Sequence, residues 1–143
     1  MADDIRIEGL EEVIDGLENL IDAEKLEAAI GKACALVERS AKQKAPKGTG
    51  ELRRSITSKV EHNGDTVVGI VFTPLEYAPY VEYGTGLFAE GGNGRKDVPW
   101  NYKDDSGEWH STSGMKPQPY MRPALNENRE QIRRIIKEAI HND

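Results

Sequence analysis

The strongest constraint in this chain is an apolar stripe that stops at a proline. Leu26, Ala29, Ile30, Ala33, Val37, Ser40 and Ala41 recur at i, i+3, i+4, i+7 spacing, which places them on one face of a helix. Asp22 is positioned to cap its start, and Glu24 lies in the first turn, where the helix dipole favours an acid. Pro46 disfavours helical geometry at Ala45 and ends the helix there. At 1.5 Å per residue such a helix is about 35 Å long. Several stripe positions hold only small side chains, so a sheet can approach it closely. A chain of 143 residues supports one core, so 1–143 is read as a single domain.

The rest of the chain supplies the other layers. Ile5 to Leu10 alternates as a short edge strand, and Leu10, Val13, Ile14, Leu17 and Leu20/Ile21 recur as a first short helix. After Lys47 to Gly50, a loop in which Thr49 can cap a turn over Gly50 to Arg53, the residues Ile56, Ser58 and Val60 alternate as a half-buried strand. Asn63-Gly64-Asp65 is a hairpin turn, with Asn-Gly tolerating positive φ at both central positions. Thr66 to Phe72 returns as a β-branched strand, apolar on both faces and so more central than its partner. Tyr77 to Tyr83 reads as a helical turn with Gly84 as its left-handed cap. The glycine-rich segment 86–97 reads as a mobile loop, and 98–112 as a second hairpin around Asp104 to Gly107. Pro123 suits the first turn of a final helix whose face carries Leu125, Asn128, Ile132, Ile135, Ile136, Ala139 and Ile140. The expected fold is α+β: a small antiparallel, hairpin-based sheet with the long helix and the C-terminal helix packed on one face.

Charge is sharply segregated. Residues 1–30 hold ten acidic and two basic residues, whereas 31–59 hold eight basic and two acidic ones, within an overall charge of −6. Solvated helix faces of opposite sign explain this, and so do complementary surfaces that favour head-to-tail packing. No run of 18 apolar residues offers a transmembrane helix, and the acidic start Met1-Ala2-Asp3-Asp4 lacks the apolar region of a signal peptide. Cys34, the one cysteine, sits in the helical stripe region as a small buried residue and suits a reducing compartment.

Chemistry-bearing motifs are absent. His62, His110 and His141 stand isolated, and one cysteine is too few for a structural zinc site, so no metal or cofactor is expected. No serine or His-Glu pair matches a nucleophile or zinc-protease motif, so no catalytic residue is assigned. Glycines at 84, 86, 91, 92 and 94 lack the lysine and hydroxyl of a phosphate cradle, and read as loop. Arg39, Lys42, Lys44, Lys47, Arg53, Arg54 and Lys59 form a basic segment over 39–59, open to three readings: solvated surface, protein contact, or DNA. Tyr77, Tyr80 and Tyr83 line one side of a short turn, either as core or as interface anchors with a polar tip.

Three blocks carry a resemblance: Ala45 to Ile56 (APKGTGELRRSI), Tyr77 to Thr85 (YAPYVEYGT) and Gln118 to Leu125 (QPYMRPAL). In this order and spacing the chain resembles the neck and tail-component proteins of tailed siphophages, over about Ala45 to Leu125. The resemblance implies assembly rather than catalysis: a virion protein of the head–tail junction, made in the host cytoplasm, with no membrane partner. Its implied partners are copies of itself in a ring or collar, head-closure or connector proteins, and tail-tube or tail-terminator proteins, with DNA passing through the lumen. Interface candidates are Tyr77, Tyr80, Tyr83, Glu82, Arg53, Arg54, Trp100 and Trp109. Two other readings remain: a DNA-binding module using the basic 39–59 segment, and a small hydrolase, which needs a convergent polar pocket the sequence does not advertise.

Overall fold

The computed structural model describes residues 23–141, apart from residues 49, 64, 65, 93 and 105. The strand expected at 5–10, the helix at 10–21, the Asp22 cap and Thr49 therefore lie outside the described residues.

Helix α1 spans Ala23–Lys44, and all seven stripe residues are buried. Ala45 N still donates to Ala41 O at 2.9 Å, and the helix stops at Pro46, which has no amide to continue the ladder. The chain turns into a short helix α2, Glu51–Ser55, whose N-cap position belongs to Gly50 at φ 81°, ψ −2°. The corner is tied down by Ser55: its Oγ donates to Leu52 O at 2.6 Å and lies 2.6 Å from Thr73 Oγ1.

Strands β1, Thr57–Asn63, and β2, Thr66–Phe72, form an antiparallel hairpin running from Thr57 opposite Phe72 to Asn63 opposite Thr66. Asn63 is thus the last described residue of β1, and the rest of the turn expected at Asn63-Gly64-Asp65 lies outside the described residues. The register is pinned by Val67 and Val71, which must face the core; a one-residue slip would turn both to solvent. β2 is the more buried strand, yet among the described residues it pairs with β1 alone, so it is not central in a wider sheet.

α1 is the common support of both layers. On one side the sheet comes close enough that a Cβ on Gly31 would sit 3.9 Å from Val60 Cγ2. On another lie α4, Met121–Glu127, and α5, Arg129–His141, with α3, Ala78–Tyr83, beside the start of α4. α4 and α5 were expected as one helix beginning near Pro123 and packed on the sheet face. Helix begins at Met121, which puts Pro123 in the first turn as expected, but it breaks at Asn128 (φ −105°, ψ 7°), and both pieces pack mainly on α1. The break has a local cause: Asn128 Nδ2 donates to Ala124 O at 2.7 Å, competing with the backbone ladder. Lys44 and Glu127, 2.6 Å apart, join the end of α1 to α4.

The expected loop 86–97 traces two 3-10 turns, Gly86–Phe88 and Glu90–Gly92. The second hairpin is present, as β3, Trp100–Lys103, and β4, Trp109–Thr112. The architecture is α+β, with the long helix, two C-terminal helices and two separate two-stranded sheets. At Gly50 the left-handed backbone is one that β-branched residues adopt only with strain. Gly50→Val should therefore lower stability by about 1 kcal/mol or more, read as an earlier thermal melt. An unchanged melt would remove the corner from the stabilising features.

Candidate interaction surface

The second and third sequence blocks meet around one carboxylate. In α3 the residues Ala78, Val81 and Glu82 face inward, and Glu82 has no solvent exposure. Its Oε1 accepts from Tyr120 N at 3.1 Å and Met121 N at 2.7 Å, so it caps the first turn of α4 from another element. Its Oε2 accepts from Arg122 Nε at 2.9 Å. Arg122 then donates from Nη2 to Glu82 O at 3.0 Å, and forks onto Glu90 at 2.9 and 3.1 Å. Donating to Glu90 and then to Glu82 makes Arg122 hold its proton more tightly than usual, and Arg122 in turn pulls the Glu90 carboxyl below its ordinary range. Tyr120 is fully buried, with its hydroxyl donating to Ala78 O at 3.2 Å; burial, then the Glu82 charge, pushes that hydroxyl well above a free tyrosine. Gln118 N donates to Val81 O at 2.8 Å. The first block joins through Tyr77, whose hydroxyl donates to Glu51 Oε2 at 3.3 Å.

Beyond α3 the chain runs against residues 113–117. Thr85 N donates to Met115 O at 2.9 Å, Leu87 N to Ser113 O at 3.0 Å, and Met115 N to Thr85 Oγ1 at 2.8 Å. Gly86, at φ 60°, touches the Ser113 and Gly114 backbone so closely that a side chain has no room. Gly84 also has positive φ, but its ψ of 172° is extended, not the left-handed cap expected.

Over this frame lies an aromatic face. Tyr77, Tyr80 and Tyr83 are 39%, 59% and 41% exposed, so the core reading of these rings is corrected. Glu82, a candidate for the same face, is also corrected: α3 turns it inward, where backbone amides and Arg122 satisfy it. Four rings carry a cation within about 6 Å of the ring centroid, a distance at which the ring quadrupole attracts it. Arg122 lies 4.6 Å from Tyr83, Arg95 4.9 Å from Trp100, and Lys103 and Lys116 each 5.9 Å from Trp109 and Phe88. Between α3, the 3-10 turns and Trp100 opens a cleft of about 400 Å³ walled by Tyr80, Tyr83, Ala89, Glu90 and Arg95.

The remaining candidates lie elsewhere. Arg53 and Arg54 sit on α2, at the corner, with Arg53 Nε buried and lacking a hydrogen-bond partner. In the basic segment, Lys42 pairs with Glu38, Lys44 with Glu127 and Lys59 with Glu61. His110 is not isolated: its Nε2 is 2.6 Å from Asp104 Oδ2, and with Glu108 these form an exposed group that folds the hairpin turn. His62 likewise pairs with Glu27. Sequence reading missed Arg122 and Glu90, and no local pattern marks either. It also missed Leu87 and Phe88, exposed apolar side chains in the loop, whereas Tyr102, read from the sequence as aromatic surface of the second hairpin, is 45% exposed.

The fold and this face define a small α+β module whose distinctive chemistry is aromatic and outward-facing. Residues 11–84, just over half the chain, match the family model described as "Bacteriophage HK97-gp10, putative tail-component". The chain belongs to this family. It is a phage tail-component structural protein, part of the virion and in contact with other structural proteins of the particle. The first resemblance block and nearly all of the second fall within the matched residues, and the third lies beyond them. Comparison with curated proteins found no match, and comparison with solved structures found none. Among the described residues no helix is long and apolar enough to cross a membrane.

Two outcomes follow from this geometry. Glu82→Gln leaves one oxygen for the two amides but removes the charge and sets an NH2 donor against Arg122 Nε where the second oxygen stood, depriving Arg122 of a buried partner; a loss of about 3 kcal/mol in urea unfolding is expected. A wild-type midpoint would show that the carboxylate is dispensable. Asp104 is held at a pKa of about 2 by the Ser106 hydroxyl, then by His110 and the Glu108 amide. Its folded value is depressed, so its contribution is present above the unfolded value of about 4 and lost as pH falls through about 2. The Ser106 and Glu108 amide resonances should titrate with a midpoint near 2; a midpoint near 4 would mean that the turn does not hold the carboxylate.

Proposed function

We propose that this tail component acts at the head–tail junction, in neck or tail completion, as a protomer of a ring or collar. The observation that supports this most directly is the row of exposed tyrosines on α3, fixed from beneath by a buried, fully hydrogen-bonded frame. A rigid aromatic row contributes large contact area at small entropic cost, which is what an assembly surface requires. The partners are further copies of the chain and the head-closure and tail-tube or tail-terminator proteins on either side. The work is done by surfaces, not by bond-making chemistry, and 86–97 tightens when neighbours cover it. Self-association is weak in dilute solution and becomes strong when a head or tail presents a template.

The DNA-binding reading is the weaker one, because Lys42, Lys44 and Lys59 already have acidic partners on the same chain. It predicts tight monomer binding that falls steeply with salt. The assembly reading predicts that replacing both Tyr80 and Tyr83 by serine blocks the joining of heads to tails. Circular dichroism should stay native, since both rings lie outside the core. A folded double variant that still yields fully infectious particles would refute the tyrosine interface.

A further inference from the structure

We propose that the β3–β4 hairpin is an arm, and that its tip, Trp109, enters the cleft beside Tyr80 and Tyr83 of a second copy of this chain. The proposal rests on the ring-assembly reading and gives it a specific head-to-tail contact. Three observations carry it.

The first is a hairpin with nothing of its own to lie on. Among the described elements β3 and β4 pack extensively only on each other, and Trp109 and Tyr102 are 69% and 45% exposed. Isolated two-stranded hairpins are marginal in water. This one is nevertheless braced: Asp104 accepts from Ser106 N, Ser106 Oγ and Glu108 N at 2.7–2.9 Å, and Tyr102 stacks on His110 at 5.4 Å. A preformed arm with exposed rings needs cover from another molecule.

The second is the fit of the cleft. Its volume is about 400 Å³, and Tyr80, Tyr83 and Trp100 stand in its walls beside glycines, Ala89, Arg95 and Glu90. Lys103 lies opposite Trp109 in the β ladder, so the tip brings an indole for the three rings and an ammonium that can share Glu90 with Arg122.

The third is reach. Trp100, at the base of β3, forms part of the cleft wall, and Lys103 with its partner Trp109 lies three residues further out. At 3.3 Å per residue the arm carries its own tip about 10 Å away from its own cleft, leaving that cleft to a neighbour. Donor and acceptor are different surfaces of one protomer, so the contact is heterologous and repeats until a ring closes. The seven exposed large apolar side chains, about half exposed each, offer roughly 700 Å² between them. Divided between the arm of one protomer and the cleft of the next, each contact is smaller than the roughly 800 Å² per partner of a standard interface. Such a contact fits an association that is weak in dilute solution and gains strength when the ring closes.

Disulfide trapping tests the contact. Cys34 is buried, and burial pushes its thiol up to about 11, so it does not compete. Oxidised assemblies made from a mixture of Tyr80→Cys and Trp109→Cys chains should give a covalent dimer, and either chain alone should not. A chain carrying both substitutions should give a ladder of covalent oligomers. Lys103→Cys is a second donor should Trp109→Cys unsettle the hairpin. Rings seen by electron microscopy, with no dimer from either donor, would overturn the arm-to-cleft contact and leave ring assembly standing. Dimers from Trp109→Cys alone would also overturn it, because they indicate a two-fold contact. A chain that forms no ring in solution or in particles would sink both readings.

Discussion

Everything on the outer face depends on how one buried acid is satisfied. A carboxylate withdrawn from water costs several kcal/mol unless hydrogen bonds and an opposite charge offset the loss. Glu82 obtains both from residues about forty positions away: the Tyr120 and Met121 amides, and the Arg122 guanidinium. The acid therefore specifies where α4 starts, because only an unused pair of amides at a helix N-terminus can serve it. It also specifies which way Arg122 turns, and Arg122 then holds Glu90 and lies against Tyr83. One desolvated group thus connects the core, the loop after α3 and the aromatic face.

The frame explains how exposed rings are tolerated. Several large apolar side chains at the surface invite non-specific association, yet here four aromatic rings carry a cation from the same chain. Each cation lies over its ring, where the ring quadrupole attracts it, and sets a charge beside the apolar surface. The buried side is correspondingly plain: Ile30, Val37, Val71, Ile132 and Ile136 are each at most 1% exposed and supply apolar area without specificity. The core is carried by α1 and what packs on it, and the exposed aromatic layer lies over the frame that Glu82 and Arg122 make.

The division also decides what could be read from the chain itself. The stripe of α1 and the first hairpin were legible because their signals are periodic and local, and burial then enforces them. The return strand was placed correctly from Thr66 because the β-branched run and the buried Val67 and Val71 fix its register. The helix break at Asn128 was missed because its cause is a side chain that competes with the ladder, which periodicity does not report. The tyrosines were ambiguous because spacing of three names one side of a turn but not whether that side faces in. A better signal was present: Ala78, Val81 and Glu82 form an i, i+3, i+4 set with an acid where an apolar residue belongs. An acid in such a place implies a partner, but nothing local says that it is Arg122.

The family match ends at residue 84, yet the frame does not. Glu82 lies inside the matched residues, and every hydrogen bond to its side chain comes from residues 120–122. Gly86 and Thr85, just beyond the boundary, are held by the backbone of 113–115. A chain cut at the matched boundary would bury an acid with no partner or expose the face of α3 that should be core. The matched half is therefore not a folding unit by itself. The second hairpin is inserted between α3 and α4, whose facing ends meet at the same buried carboxylate, while the stretch just after β4 is held by Thr85 and Leu87.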